Sequence, residues 1–351
     1  MKFSYPLFSY PAGIERPNRL QALGSQAEDD HIDLSQNVTV LGGAYSSWYD
    51  NFFSYTAATD ISKYPSIGCA LESISNIYKL PADCLLLGPG SDFVLQYIIA
   101  NYGKIAHNEI GALLYPHPTF GMLELYGEMH GLVSHARHYT LQNNQFCLSP
   151  IDPSVRPFQT IAYTANPDNF TGPNGDVVYT AETYRDFALN IIDIAYMDWS
   201  KEPIDLHAVV TEYPNVILVD TFSKRFFAPG IRIGVGIASP DLTKALTAFR
   251  LAYELSAHAV SYAGYVSDHQ AEASKIRDDL REESSRICSV ISATGHHTWV
   301  APGFFISYDG HLPMADLNAR PVRQREFTID GKSFHRLAIP TSDLKVNPIP
   351  R

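Results

Sequence analysis

Residues 220–234 read DTFSKRFFAPGIRIG. The apolar run from Val216 to Thr221 predicts a buried strand, and Ser223 and Lys224 follow it directly, so two hydroxyls and an amine gather at a strand's carboxyl end. Open α/β sheets bind their ligands along that edge. A second junction lies in LLLGPGSDFVLQYIIANY (85–102), an apolar strand, a tight Gly88-Pro89-Gly90 turn, and Ser91-Asp92 opening an amphipathic helix. Such a junction aims backbone N–H groups and the positive helix end at an anion, typically a phosphate. The bland alternative is an ordinary N-cap, where Ser and Asp are favoured anyway. Neither a G-x-x-x-x-G-K-[ST] loop nor a G-x-G-x-x-G unit with a following acidic residue is present, so the phosphate would not belong to a nucleotide.

Two further stretches carry polar groups to strand ends. YTANPDNFTGP (163–173) sets Asn166, Asp168 and Asn169 in a loop after a strand, where backbone preferences alone could explain them. IIDIAYMDW (191–199) puts Asp193 inside an apolar strand and Tyr196 at its end. A carboxylate there is costly to bury without a partner.

The elements that must position these residues alternate strand and helix. Runs at 111–116, 159–165, 189–196, 215–222 and 234–239 read as buried strands, with helices expected over Asp92 to Tyr102, Met122 to Gly131, Ala181 to Phe187 and Asp205 to Glu212. That rhythm predicts an α/β fold, a mostly parallel central sheet flanked by helices. Beyond about residue 240 the pattern turns to long helices, with Ile276, Leu280, Ile287, Val290 and Ile291 on one face, and then to strands in TWVAPGFFISYDG, REFTIDG and SFHRLAIP. This predicts a smaller α+β domain. The expected organisation is an amino-terminal arm over 1–40 that pads the first domain or joins the second, a large domain over 41–265 and a small one over 266–351.

With 351 residues, 45% hydrophobic, the chain can bury a large core. A net charge of −11 argues against a nucleic-acid or anionic-membrane partner. No stretch approaches the roughly 20 apolar residues of a membrane span, and the amino terminus lacks a signal-peptide core. A cytoplasmic protein with a small-molecule substrate is expected. Cys69, Cys84, Cys147 and Cys288 are dispersed and His296–His297 lacks i, i+4 spacing, so free thiols and no metal site are expected.

Taken in order, these pieces resemble the aspartate-aminotransferase superfamily of pyridoxal-phosphate enzymes (fold type I, class I and II aminotransferases), and within it the histidinol-phosphate aminotransferase-like branch. The resemblance runs from Asn37 to about Arg336. It implies that Lys224 carries pyridoxal 5′-phosphate as an internal aldimine, that Asp193 pairs with the pyridine nitrogen, and that Tyr196 and Asn169 bond the ring's phenolic oxygen. Gly90, Ser91, Asp92, Ser223 and Arg232 would form the phosphate cup, and Phe120 would stack on the ring. Tyr64 would reach the partner's phosphate across a homodimer interface, and Arg336 would clamp the substrate α-carboxylate. Asn37 matches the last asparagine of an Asn-Glu-Asn segment whose first two positions are here Ser35 and Gln36.

The implied activity is ping-pong transamination between an amino acid or related amine and an oxo-acid acceptor. The same constellation also supports decarboxylation, elimination, cyclisation or oxidation, because the cofactor carries the electron sink whichever bond breaks. A non-catalytic scaffold on this fold is the remaining alternative. Asp193-Ile194-Ala195-Tyr196 replaces the usual Asp-Glu-Ala-Tyr, Phe170 stands where proline is common, and only about a dozen residues replace a longer segment of the small domain.

Overall fold

The computed structural model describes residues 32–35, 39, 41–56, 59–106, 109–170, 181–196, 205–301, 303–316 and 318–349. An eight-stranded sheet organises them. Its strands are β1 Leu85–Gly88, β2 Ala112–His117, β3 Val133–Gln142, β4 Gln145–Leu148, β5 Thr160–Ala165, β6 Leu189–Asp193, β7 Val216–Thr221 and β8 Gly234–Ala238, in the order β1-β8-β7-β6-β5-β2-β3-β4. The pairs β7–β6, β6–β5, β5–β2 and β2–β3 are parallel. β8 runs antiparallel to both of its neighbours and β4 antiparallel to β3. Because β1 opposes β8, it points the same way as β7, and the carboxyl ends of β1, β2, β5, β6 and β7 share one edge.

Alternation along the strands explains their apolar runs. Leu85, Leu87, Ile192 and Leu218 enter one core cluster, and Leu86, Ile191, Ile217 and Val219 the other. Both faces of the sheet are therefore covered, as parallel strands require.

Helices α1 Ser46–Tyr55, α2 Ile67–Tyr78, α3 Ser91–Ile105, α4 Leu123–Met129, α5 Leu206–Glu212, α6 Phe222–Arg225, α7 Pro240–Thr247, α8 Ala257–Asp268 and α9 Gln270–Ala293 accompany the sheet. Several start where side chains accept from the first-turn N–H groups: Ser66 caps α2, Asp205 caps α5, Ser239 caps α7 with Pro240 following, and Ser256 caps α8. The helix expected over Ala181 to Phe187 is helical only over 181–183 and turns from Tyr184.

The small sheet holds β9 Thr298–Ala301, β10 Phe305–Asp309, β11 Arg325–Ile329 and β12 Lys332–Ala338 in the order β9-β10-β12-β11, every pair antiparallel. Ile276, Leu280, Ile287 and Ile291 of α9 are buried beside it, whereas Val290 is only partly covered. Gly310–Pro321 carries a two-residue strand, Met314–Ala315, paired antiparallel with Asn347–Pro348, and no helix among its described residues. The described piece of the arm joins this part of the molecule: Ile32–Asp33 pairs in parallel with Val322–Arg323, and the Ala338 N–H donates to Leu34 O at 2.8 Å. No helix among the described residues is long and apolar enough to cross a membrane, and all four cysteines are free.

Candidate active site

Lys224 occupies α6, the single turn that follows β7. Thr221 caps this turn by accepting from the Ser223 N–H at 3.2 Å. The segment beyond is pinned by two tyrosines and a tryptophan. Tyr262 O–H donates to Phe226 O at 2.5 Å and receives the Trp48 indole N–H at 2.8 Å, and Tyr49 O–H donates to Phe227 O at 2.8 Å. Asp220, buried at the end of β7, accepts from Arg225 at 3.0 Å and from Tyr78 O–H at 2.8 Å. The backbone on both sides of Lys224 is thus fixed, while its amine lies 5.9 Å from the centre of the Tyr196 ring. That ring is itself wedged edge-on against Phe304 and Phe305, both at 5.4 Å.

The sequence puts Asp193 within a strand; the structure ends β6 on it. Its Oδ1 accepts the Ala195 N–H at 3.0 Å, turning the chain and carrying Tyr196 past the edge rather than along the strand. Tyr163 of β5 donates to Oδ2 at 3.1 Å. In the parallel register Tyr163 faces Ile191, so this is a diagonal neighbour contact. Burial pushes the Asp193 carboxyl up to about 6, against the Ala195 N–H, the Tyr163 hydroxyl and Lys224, which favour its charge, while Asp220 adds to the rise. The donors in place do not offset desolvation, so a further cation beside Asp193 would be welcome.

At the other end of the edge, α3 begins on Gly90, with no side chain capping it. Gly90 has φ +92°, and a Cβ there would lie 2.4 Å from Arg232 Nη2. Across the strand a Cβ on Gly234 would meet the Gly90 carbonyl carbon at 2.2 Å. Two glycines therefore let the turn, β8 and the Arg232 guanidinium close up around the start of the helix. Buried Ser223 has its Oγ without a hydrogen-bond partner among the described residues, and so has Asn169 Oδ1. Asp92 is turned away, its carboxylate accepting from Tyr126 O–H of α4.

Arg336, on β12, is 5% exposed. Its guanidinium donates to Asn169 O and, at 3.2 Å, to Ser35 O, and lies 5.1 Å from the Phe170 ring centre. Asp168 beside it is fully buried, accepting from Thr119 O–H at 2.6 Å and from the Phe170 N–H at 3.0 Å. Burial raises the Asp168 carboxyl to about 7, opposed by those two donors, with Asp193 raising it and Arg336 lowering it.

The structure thus gathers Lys224, Ser223, Asp193, Tyr196, Gly90, Ser91, Arg232, Asn169 and Phe120 along one sheet edge, and Arg336 reaches Asn169 there from the small sheet. Tyr64 is not among them: it is 77% exposed and stacks on Tyr253 at 4.1 Å. Asn37 lies outside the described residues. Three contributors escape the sequence reading: Tyr163 passes for a strand residue, Thr119 carries no signal, and Asp168 passes for a turn former.

The sheet order, with a lysine turn after β7 and a glycine turn after β1, is that of a fold type I pyridoxal-phosphate enzyme. The chain belongs to the aminotransferase class I and II family, pyridoxal-5′-phosphate-dependent enzymes that transfer amino groups; the family profile matches residues 47–335. It is similar to histidinol-phosphate aminotransferase 1 of Trichormus variabilis, with 27% identity over 240 residues, 67% of this chain and 65% of that one. The histidinol-phosphate aminotransferase of Symbiobacterium thermophilum is 24% identical over 82% of this chain and 79% of its own. The solved structure of the Sinorhizobium meliloti histidinol-phosphate aminotransferase in complex with pyridoxal-5′-phosphate superposes with a TM-score of 0.71, covering 94% of this chain and 92% of that one at 17% identity. The donor set fits that cofactor: a buried hydroxyl and amide oxygen await partners, a glycine cradle faces a helix start, and a carboxylate lacks sufficient counter-charge.

Proposed function

We propose that this protein transaminates an α-amino acid or a closely related amine with an oxo acid as acceptor, by a ping-pong sequence in which Lys224 moves the proton. The observation that carries the reading is the placement of Lys224, on a turn fixed from both sides, beside Tyr196 and within the field of Asp193. Bound pyridoxal phosphate supplies an electron sink conjugated to the substrate nitrogen. Gly90, Ser91, Ser223 and Arg232 would hold its phosphate, Phe120 its ring face, Tyr196 and Asn169 its phenolic oxygen. Asp193 would keep a proton on the ring nitrogen, where its own charge becomes favourable. Lys224 Nζ would take the proton from the substrate Cα and hold it at the site. Arg336 would receive the substrate carboxylate with a planar fork that lysine cannot reproduce. In the same reading, residues 1–40 form an arm, 41–265 the cofactor-binding domain and 266–351 the small domain, in the cytoplasm, which cell fractionation would check.

The test is incubation of the purified protein with a panel of amino acids, following the cofactor spectrum and product masses. Release of an oxo acid is expected; carbon dioxide, ammonia or peroxide instead would replace the reading. Arg336→Lys is expected to lower kcat/KM for an amino acid by about 1–3 kcal/mol while sparing the amine that lacks the carboxylate. An equal penalty on both would remove Arg336 from the carboxylate, and histidinol-phosphate-like amines would become the better reading only if a second arginine proves to bind a substrate phosphate. Arg323, 4.0 Å from Asp33 and partly exposed, would then be the arginine to examine for a substrate phosphate.

We further propose a two-fold dimer. Phe53, Ile61, Tyr64, Leu251 and Tyr253 are exposed large apolar side chains, and the Tyr64–Tyr253 stack sits outside the chain's own site. Mixing inactive Lys224→Ala with an impaired Tyr64→Phe should regain activity through hybrid dimers. A fully active species sedimenting at the 39.0 kDa of one chain would dismiss the dimer.

A further inference from the structure

Asp168 is a carboxylate with no exposed surface, and it sits in a turn. The turn itself does not need the charge: an asparagine would accept the same Phe170 N–H, because Asn and Asp both form this local bond. Burying an acid is costly, and here burial lifts its carboxyl to about 7 despite Thr119, the Phe170 N–H and Arg336. The position of its two oxygens shows what the residue connects. Oδ2 accepts from Thr119, next to Phe120 in the loop leaving β2. Oδ1 accepts from Phe170, and so shapes the loop leaving β5 around Asn169. The strands β2 and β5 are neighbours in the sheet, so the two loops emerge side by side.

From there the contacts continue into the small sheet. The Arg336 guanidinium donates to Asn169 O and stands over the Phe170 ring, and Ser307 Oγ donates to Phe170 O at 2.7 Å. Ser307 and Arg336 are register partners on β10 and β12. A path of direct contacts therefore runs from the Phe120 loop through Asp168 to the arginine.

We infer that Asp168 is a positioning residue that ties the loop carrying Phe120 to the loop carrying Asn169 and, through Asn169 and Phe170, to Arg336, so that one buried carboxylate sets both cofactor seating and substrate-carboxylate capture. The inference rests on the transamination reading for its substrate half and on the cofactor alone for the other half. Asp193 and Arg336 are the charged groups acting on Asp168 in this cluster, and Thr119 O–H and the Phe170 N–H are the donors that touch it.

The test uses Thr119→Val, Asp168→Ala, their double variant and Asp168→Asn. Readouts are the pyridoxal-phosphate dissociation constant from absorbance titration, and KM for an amino acid against the matching amine. Each of the first two variants is expected to weaken the cofactor about tenfold, the factor carried by one charge-assisted hydrogen bond, and to raise KM for the amino acid more than for the amine. The double variant should be no worse than Asp168→Ala alone, because Thr119→Val removes a contact that Asp168→Ala has already cut. Asp168→Asn should recover most of the affinity, since its amide oxygen still accepts the Phe170 N–H and its NH2 donates to a reoriented Thr119 hydroxyl. A lowered Tm with unchanged cofactor affinity and unchanged KM ratio would make Asp168 a purely structural residue, and additive losses in the double variant would break the proposed link. If Asp168→Ala does not fold, Thr119→Val decides by the same readouts. A wild-type protein that releases no oxo acid would remove the transamination reading, while the cofactor titration would still judge Asp168.

Discussion

Lys224→Ala is expected to reduce oxo-acid release by about 10⁴-fold or more, because it deletes both the nucleophile and the base at one position. The fold should survive. The packing of α6 rests on buried Phe222 and on Phe226 and Phe227, which Tyr262 and Tyr49 hold by their carbonyls, whereas Lys224 itself is only partly covered. Thermal denaturation should therefore change little while turnover disappears. Borohydride reduction of the wild-type holoenzyme should fix the cofactor on the peptide containing Lys224. A label on another lysine, or appreciable turnover in the alanine variant, would dismiss the assignment.

Asp193→Asn should lower turnover by about 10²–10³-fold, the range seen when one preorganised electrostatic contact at a reacting group is lost. Its effect on folding should have the opposite sign. The Asp193 carboxyl stands at about 6 in the folded chain against an ordinary 3.8. A raised carboxyl contributes stability that is fully present below the ordinary value and is lost as pH rises through about 6. The cofactor-free wild-type protein should therefore lose up to about 3 kcal/mol between pH 4 and pH 7 that the asparagine variant keeps. Thermal melts of the cofactor-free proteins across that window measure the difference. Parallel melting curves, together with near wild-type turnover, would make Asp193 an ordinary structural aspartate.

Much of this molecule follows from local pattern. The runs that became β2, β5, β6, β7 and β8 are apolar because both faces of a parallel sheet are buried, and that demand is written in consecutive residues. The turns at Gly88-Pro89-Gly90 and after Thr221 are equally local, so the residues at the strand ends could be named in order. β3 was not legible: VSHARHYTLQ lies toward the sheet's edge, only Tyr139 is buried, and no apolar run announces it. Asp193 was legible as a buried acid, but its place at the end of β6 depends on the bond it accepts from Ala195.

Other features were decided by contacts between residues far apart in the chain. Tyr163 reaches Asp193 through the register of two strands, Thr119 meets Asp168 across 49 positions, and Arg336 reaches Asn169 across 167. Period and turn chemistry specify which way a side chain points on its own element. They leave strand order and register open, because those are set by the simultaneous burial of all the elements. The sequence by itself therefore determined that a lysine and a glycine turn stand at strand ends and that a carboxylate lies within an apolar strand. Only the tertiary structure decided that these ends share one edge, and that a buried aspartate in a commonplace turn links the ring-facing loop to the arginine of the small sheet.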